Sequence, residues 1–226
     1  MAIPSEVVRA LVGEAIGTFA LVVMGCGAIV VGDQMGAPGP VGVALSFGLV
    51  IAAMVYALGH VSGAHLNPAV TTAFAIFRHF PARRVPAYWG AQVAGAVAAA
   101  VFLRLSLGDH AQLGSTVPSG SAGQAFAWEL LLTAILMLVI VAVATDTRAV
   151  GEAAALAIGG TIALDALVGG PITGASMNPA RSLGPALVSG TFDDLWIYLT
   201  APFAGAALGA LAYESLRTPR EERAAA

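Results

Sequence analysis

The stretch GAHLNPAVTTAF at residues 63–74 returns as GASMNPARSLGPAL at residues 174–187, so that Asn-Pro-Ala occurs at 67–69 and again at 178–180. Proline inside a helix removes an N–H and clashes with the preceding turn. In the first turn that N–H has no partner to lose. Pro68 and Pro179 therefore open helices, with Asn67 and Asn178 at or near their N-caps and Ala69 and Ala180 completing each motif. The residues ahead of them, Gly63-Ala64-His65 and Gly174-Ala175-Ser176, form glycine-led turns that present backbone instead of continuing a helix. The 11 residues 67–77 make a helix of only ~17 Å, about half of a ~30 Å hydrocarbon core. Each copy can thus be only a half-crossing.

That reading needs a membrane, and the composition supplies one. The 226 residues are 58% hydrophobic and 10% charged, with mean hydropathy +0.85, whereas soluble domains carry about 25% charged residues. Charge-free runs at 15–32, 34–77, 85–103, 130–145 and 195–213 include several near the ~20 residues of a spanning helix. The spans predicted are 8–31, 40–60, 84–106, 123–145, 152–169 and 194–216, with the motif segments between the second and third and between the fifth and sixth. Met1 leads into the first apolar run with Glu14 inside it and no small-residue cleavage site, so a cleaved signal peptide is not expected. Cys26 is the only cysteine, which excludes an intrachain disulfide; a small residue packed at a glycine-rich contact is the reading.

Orientation follows from arginine, since the chain has no lysine. Arg9, Arg78, Arg83, Arg84, Arg148, Arg217, Arg220 and Arg223 precede span one or follow spans two, four and six, and with six crossings these places share one side. The opposite loops carry Asp33, Asp109, Asp193 and Asp194. The positive-inside rule makes the arginine side cytoplasmic, with both termini on it.

The duplication extends past the motif. SFGLVIA (46–52) aligns with AIGGTIA (157–163), AQVAGA (91–96) with APFAGA (201–206), and Glu14 and Glu129 sit alike in spans one and four. One domain, 1–226, is thus two repeats, about 8–107 and 123–217. Each holds three spans, an odd number, so the second is inverted. Inverted repeats with short, Gly/Pro-interrupted segments at matching places point to a permeation site at the midplane.

Two half-helices entering from opposite faces meet tip to tip, and both positive dipole ends face one point. Amide donors of Asn67 and Asn178 there, beside a line of carbonyls on Gly63, Ala64, His65, Gly174 and Ser176, suit water or a polyhydroxy solute and oppose a cation. Arg181 follows the second motif, whereas Val70 follows the first. A cation at that depth faces a bundle interior or water, and the reading is a pore-lining donor that repels cations. Glu14 and Glu129 fit either a proton relay or a structural role; one in each half favours acceptors for loop N–H groups. His60 reads as a packing residue. No metal-ligand spacing, phosphate loop or nucleophile–base pair is present, so neither enzyme, metal, cofactor nor nucleic-acid partner is expected.

These residues resemble the major intrinsic protein family, the aquaporins and aquaglyceroporins, over nearly the whole chain, with SGAHLNPAVT and GASMNPARS as the specific motifs. The resemblance implies an all-α membrane fold of six transmembrane helices and two re-entrant half-helices, one pore per chain and a homotetramer in the lipid bilayer. It also implies an aromatic/arginine constriction falling on Phe47, Ala166, Ala175 and Arg181. Strict water channels of the family have histidine in place of Ala166 and threonine or cysteine in place of Ala175, so two alanines imply a wider filter. Ser182 stands where glycerol facilitators place aspartate. GPITGASMNPARSLGPAL and WIYLTAP look most like the nodulin-like branch and its bacterial relatives, which pass glycerol, urea-sized solutes and undissociated metalloid acids. Short termini and the absence of lysine suggest a bacterial inner membrane. Asp165 adjoins the constriction and either pairs with Arg181, lines the outer mouth or packs with hydrogen bonds. The expectation is a passive channel for water and small neutral solutes; a strict water channel and a coupled transporter are the alternatives.

Overall fold

The computed structural model describes residues 5–146 and 153–217, and among these there are helices and no strands. The first repeat contains α1 (Glu6–Met35), α2 (Gly39–Ser62), the short α3 (Pro68–Ile76) and α4 (Val85–Leu107). The second contains α5 (Ala122–Thr145), α6 (Ala154–Thr173), the short α7 (Pro179–Ser189) and α8 (Leu195–Leu216). Six of these are long and apolar enough to cross a membrane, and α3 and α7 are not. With 9 and 11 residues, the two short helices reach about 14 and 17 Å.

Span boundaries differ from the sequence reading most at the ends of α1 and α6, each of which runs four residues further. α6, predicted to end at 169, runs through Pro171 to Thr173 and stops at Gly174, a left-handed cap. A proline in the last turn breaks one backbone hydrogen bond, which neighbouring groups in a membrane bundle can make good. The half-helix read as 67–77 is Pro68–Ile76, with Asn67 and Phe77 as its caps.

Packing repeats between the halves. In each, the first span packs on the other two: α1 on α2 and α4, α5 on α6 and α8. Each half-helix rests on the last span of the opposite repeat, α3 on α8 and α7 on α4, while α2 and α6 meet across the centre. Small residues let the backbones close. A Cβ on Gly48 would lie 2.4 Å from Gly159 O, and one on Gly159 would lie 2.4 Å from Gly48 O. Likewise Gly95 sits on Ala15 O and its counterpart Gly205 on Leu130 O, at 2.2 and 2.3 Å for the same construction. Such contacts replace a hydrophobic drive that lipid cannot provide between helices.

Charged residues gather at the two ends. At one, Arg84 faces Glu6 at 3.9 Å, His79 Nε2 lies 2.9 Å from Glu214 Oε1, and Arg217 contacts Glu214 and Asp146. At the other, Arg104 pairs with Asp109 and donates to Val188 O, and Asp33 faces His110. Arg148, Arg220 and Arg223 lie outside the described residues. His60, read as a packed residue, is exposed near the end of α2.

Candidate functional site

After α2 the chain turns at Gly63 (φ 86°) and passes through Ala64 and Leu66 at φ 46° and 51°. The second repeat does the same at Gly174 (84°), Ala175 (42°) and Met177 (53°). Left-handed backbone costs a non-glycine residue about 1–2 kcal/mol, so each loop needs a template. Buried carboxylates provide it. Glu14 Oε1 accepts from His65 N (3.0 Å) and Ser62 Oγ (2.7 Å), and its Oε2 accepts from Leu66 N (2.7 Å) and Gln92 Nε2 (2.8 Å). Glu129 Oε1 accepts from Ser176 N (2.8 Å) and Thr173 Oγ1 (2.7 Å), and its Oε2 accepts from Met177 N (2.8 Å). Ser62 and Thr173 in turn accept Ala64 N and Ala175 N, both at 3.0 Å. With these N–H groups drawn to the carboxylate and to the hydroxyl beside it, the loops leave carbonyls to face the other way.

Each asparagine caps its own helix and ties to the opposite loop. Asn67 Oδ1 accepts Ala69 N and its Nδ2 donates to Met177 O, both at 2.8 Å. Asn178 Oδ1 accepts Ala180 N and Arg181 N at 3.0 and 3.3 Å, and its Nδ2 donates to Leu66 O at 2.8 Å. An amide nitrogen has two hydrogens, so one remains on each for a guest.

A cavity of about 350 Å³ runs past these tips, lined by both asparagines, by Gly63, Ala64, His65, Ala175 and Ser176, and on its far wall by apolar residues such as Ile51, Val55, Ile158 and Ile162. Gly174 does not line it. The side where a Cβ would stand is covered by Thr116, whose Cγ2 would be 3.1 Å away. The half-buried His65 ring packs among Phe74, Phe80 and Tyr88, and its Nδ1 lies 3.1 Å from Thr71 Oγ1.

Phe47, Ala166, Ala175 and Arg181 all line the same cavity. The Arg181 guanidinium carbon stands 5.0 Å from the Phe47 ring centroid, and Nη1 donates to Gly114 O at 2.7 Å. Its Nε and Nη2 find no partner within the described protein. The guanidinium is thus buried with one of its three nitrogens hydrogen-bonded to the described protein. Asp165 is buried without an ion pair to Arg181, and its Oδ2 has no hydrogen-bond partner among the described residues.

Several supporting residues were not found from the sequence. Gly25 makes room for Phe47, since a Cβ there would fall 2.1 Å from the ring. Tyr88 and Tyr198 donate to Ser62 O and Thr173 O at the ends of α2 and α6. Their shared spacing ahead of AQVAGA and APFAGA was the available signal. Cys26 is fully buried and packs on Gly114.

Six spans, two opposed half-helices and a cavity passing their tips define a membrane channel protein. The family model described as major intrinsic protein matches residues 2–213. Aquaporin NIP1-4 of Oryza sativa subsp. japonica is 54% identical over 208 residues, 92% of this chain and 76% of that protein. Nodulin-26 of Glycine max is 51% identical over 212 residues, 92% and 77% of the two chains. The aquaglyceroporin from Plasmodium falciparum superposes with a TM-score of 0.82 at 29% identity, covering 93% of this chain and 96% of that one. The chain belongs to the major intrinsic protein family, a family of channels and not of enzymes.

Proposed function

We propose that the protein is a passive transmembrane channel for water and small uncharged solutes, glycerol and undissociated metalloid acids among them, that excludes protons and ions. The observation that carries this reading is the asymmetric ring of Arg181 against Phe47, Ala166 and Ala175. One side carries the fixed positive charge of Arg181, and the other sides are apolar, with two alanines leaving room beside the Phe47 ring. A neutral solute with oxygen acceptors and a carbon skeleton satisfies both. A cation meets the guanidinium and the two half-helix ends, and protons relayed through water meet the same field. Asn67 and Asn178 hold the solute at the midplane, loop carbonyls accept its hydroxyls, and Glu14 and Glu129 hold the loops. The alanines set a wider opening than a strict water channel needs.

A coupled transporter would need a titratable pair or ion cluster beside the solute. The buried carboxylates Glu14 and Glu129 are spent on loop N–H and hydroxyl groups, and Asp165 does not line the cavity. The assembly we propose is a homotetramer with one pore per chain, in a bacterial inner membrane, with the Arg9, Arg78, Arg83, Arg84 and Arg217 face and both termini cytoplasmic. Shrink–swell kinetics of proteoliposomes in water, glycerol and arsenous acid test the solute range. All three should accelerate over empty vesicles; acceleration of water alone would make it a strict water channel.

A further inference from the structure

The loop between α4 and α5 reaches the constriction from outside both motifs. Ala111, Gln112, Leu113 and Gly114 follow one another in left-handed conformation, at φ 46°, 50°, 56° and 72°. Leu113 is fully buried, and Gly114 lies so near α1 that a Cβ on it would be 2.8 Å from Cys26 Cβ. This path delivers Gly114 O to Arg181. Two residues on, buried Thr116 places Oγ1 2.7 Å from Ser182 Oγ, which is 2.6 Å from Ser176 Oγ. Ser176 gives its hydroxyl hydrogen to Asn178 O at 2.9 Å. A hydroxyl has one hydrogen, so Ser182 must donate to Ser176 and Thr116 must donate to Ser182. Thr116 also covers Gly174. One side chain thus contacts the start of the second loop directly and its middle and end through Ser182.

The first repeat solves the same problem with its own parts. Thr71, the counterpart of Ser182, donates to Asn67 O at 2.9 Å and accepts from Gln92 Nε2 of α4 at 3.0 Å. In the aligned segments AQVAGA and APFAGA the counterpart of Gln92 is Pro202, which has no donor. We propose that Thr116 is a positioning residue for solute selectivity, supplying from the α4–α5 loop the donor that Pro202 lacks and so fixing residues 174–178 and Arg181 at one aperture. This rests on the reading of Phe47, Ala166, Ala175 and Arg181 as the filter.

Thr116→Val keeps the shape and removes the hydroxyl; Thr116→Ser keeps the hydroxyl. Both are measured in proteoliposomes for water, glycerol and a five-carbon polyol. Loss of one buried hydrogen bond should raise the five-carbon-polyol-to-glycerol permeability ratio of the valine variant by roughly threefold or more, while the serine variant keeps the wild-type ratio. Ser182→Ala breaks the same bond and the Ser182–Ser176 bond with it, so adding Thr116→Val to Ser182→Ala should change the ratio little further. A folded valine variant with the wild-type ratio, or a serine variant shifted as far as valine, overturns the proposal. Should the valine variant not be recovered folded, Ser182→Ala removes that bond together with the one to Ser176, and a wild-type ratio there overturns the proposal equally. Ala166→His separates the two readings. If it leaves the glycerol-to-water ratio unchanged, the filter assignment itself has failed. If it lowers that ratio while Thr116→Val does nothing, only the role of Thr116 has.

Discussion

Gly25 and Phe47 give the sharpest mutational test of the constriction, because the displacement can be worked from the coordinates. A methyl group at position 25 would stand 2.1 Å from Phe47 Cε1, with two more ring atoms at 2.3 and 2.5 Å. Ordinary carbon contacts begin near 3.4 Å, so ring or helix must move by roughly 1.3 Å. Gly25 lies against the ring on one face, while Phe47 also lines the cavity opposite Arg181. The ring therefore moves toward the cavity, and the opening narrows. Overpacking of this kind costs about 1–3 kcal/mol. Where that falls on the barrier to glycerol, flux drops by about 5- to 150-fold, each tenfold being about 1.4 kcal/mol. Single-file water needs less width and should lose much less. The assay is the glycerol-to-water permeability ratio of Gly25→Ala in proteoliposomes, with Gly25→Ala/Phe47→Leu as the rescue. A folded single mutant with an unchanged ratio would refute the placement of Phe47 in the constriction.

Three further outcomes follow from the same geometry. Ala166→His fills space at the filter and should cut glycerol flux strongly while sparing most water flux; a parallel loss of both would make residue 166 a packing position. Arg181→Val removes the fixed charge and should raise proton leak, read with an entrapped pH dye, while admitting larger solutes. Unchanged leak and unchanged size limit would remove Arg181 from the filter. Glu129→Leu orphans the buried N–H groups of Ser176 and Met177 and the Thr173 hydroxyl. At about 1–3 kcal/mol per orphaned donor, it should lower the thermal midpoint in detergent far more than Glu129→Gln, and equal midpoints would show that the loop has another support.

What was legible in the sequence was whatever repeats or carries an unmistakable local cost. Pro68 and Pro179 cannot sit inside a helix, so the helix starts were readable, and so were the asparagine caps beside them. Glu14 and Glu129 were readable as loop acceptors because a carboxylate recurs in each apolar span. Contacts between distant segments left no such trace. Gly114 O meets Arg181 across 67 residues, through a left-handed run that no glycine-rich composition announces at Ala111, Gln112 and Leu113. Gly25 looked like one more small residue in a glycine-rich span until Phe47 was seen lying on it. Gly174 sits in the right loop, yet its exposed side meets Thr116 instead of the cavity, and a motif cannot say which way a residue faces. His60 was assigned to packing by default, whereas it stands exposed near the end of α2. Asp165 beside the constriction suggested a partner for Arg181, but the guanidinium is held by a carbonyl and a ring face.

The central claim is that neutral solutes pass and charge does not, without coupling. It is tested most directly by measuring glycerol influx and ionic current on the same proteoliposomes, over a wide range of glycerol concentration and with an imposed membrane potential. The account predicts glycerol flux that rises linearly with concentration, is indifferent to potential and to ion or proton gradients, and is accompanied by no proton or cation current above that of empty vesicles. Saturating flux that follows an imposed gradient, or a cation current that appears with the protein, would contradict it.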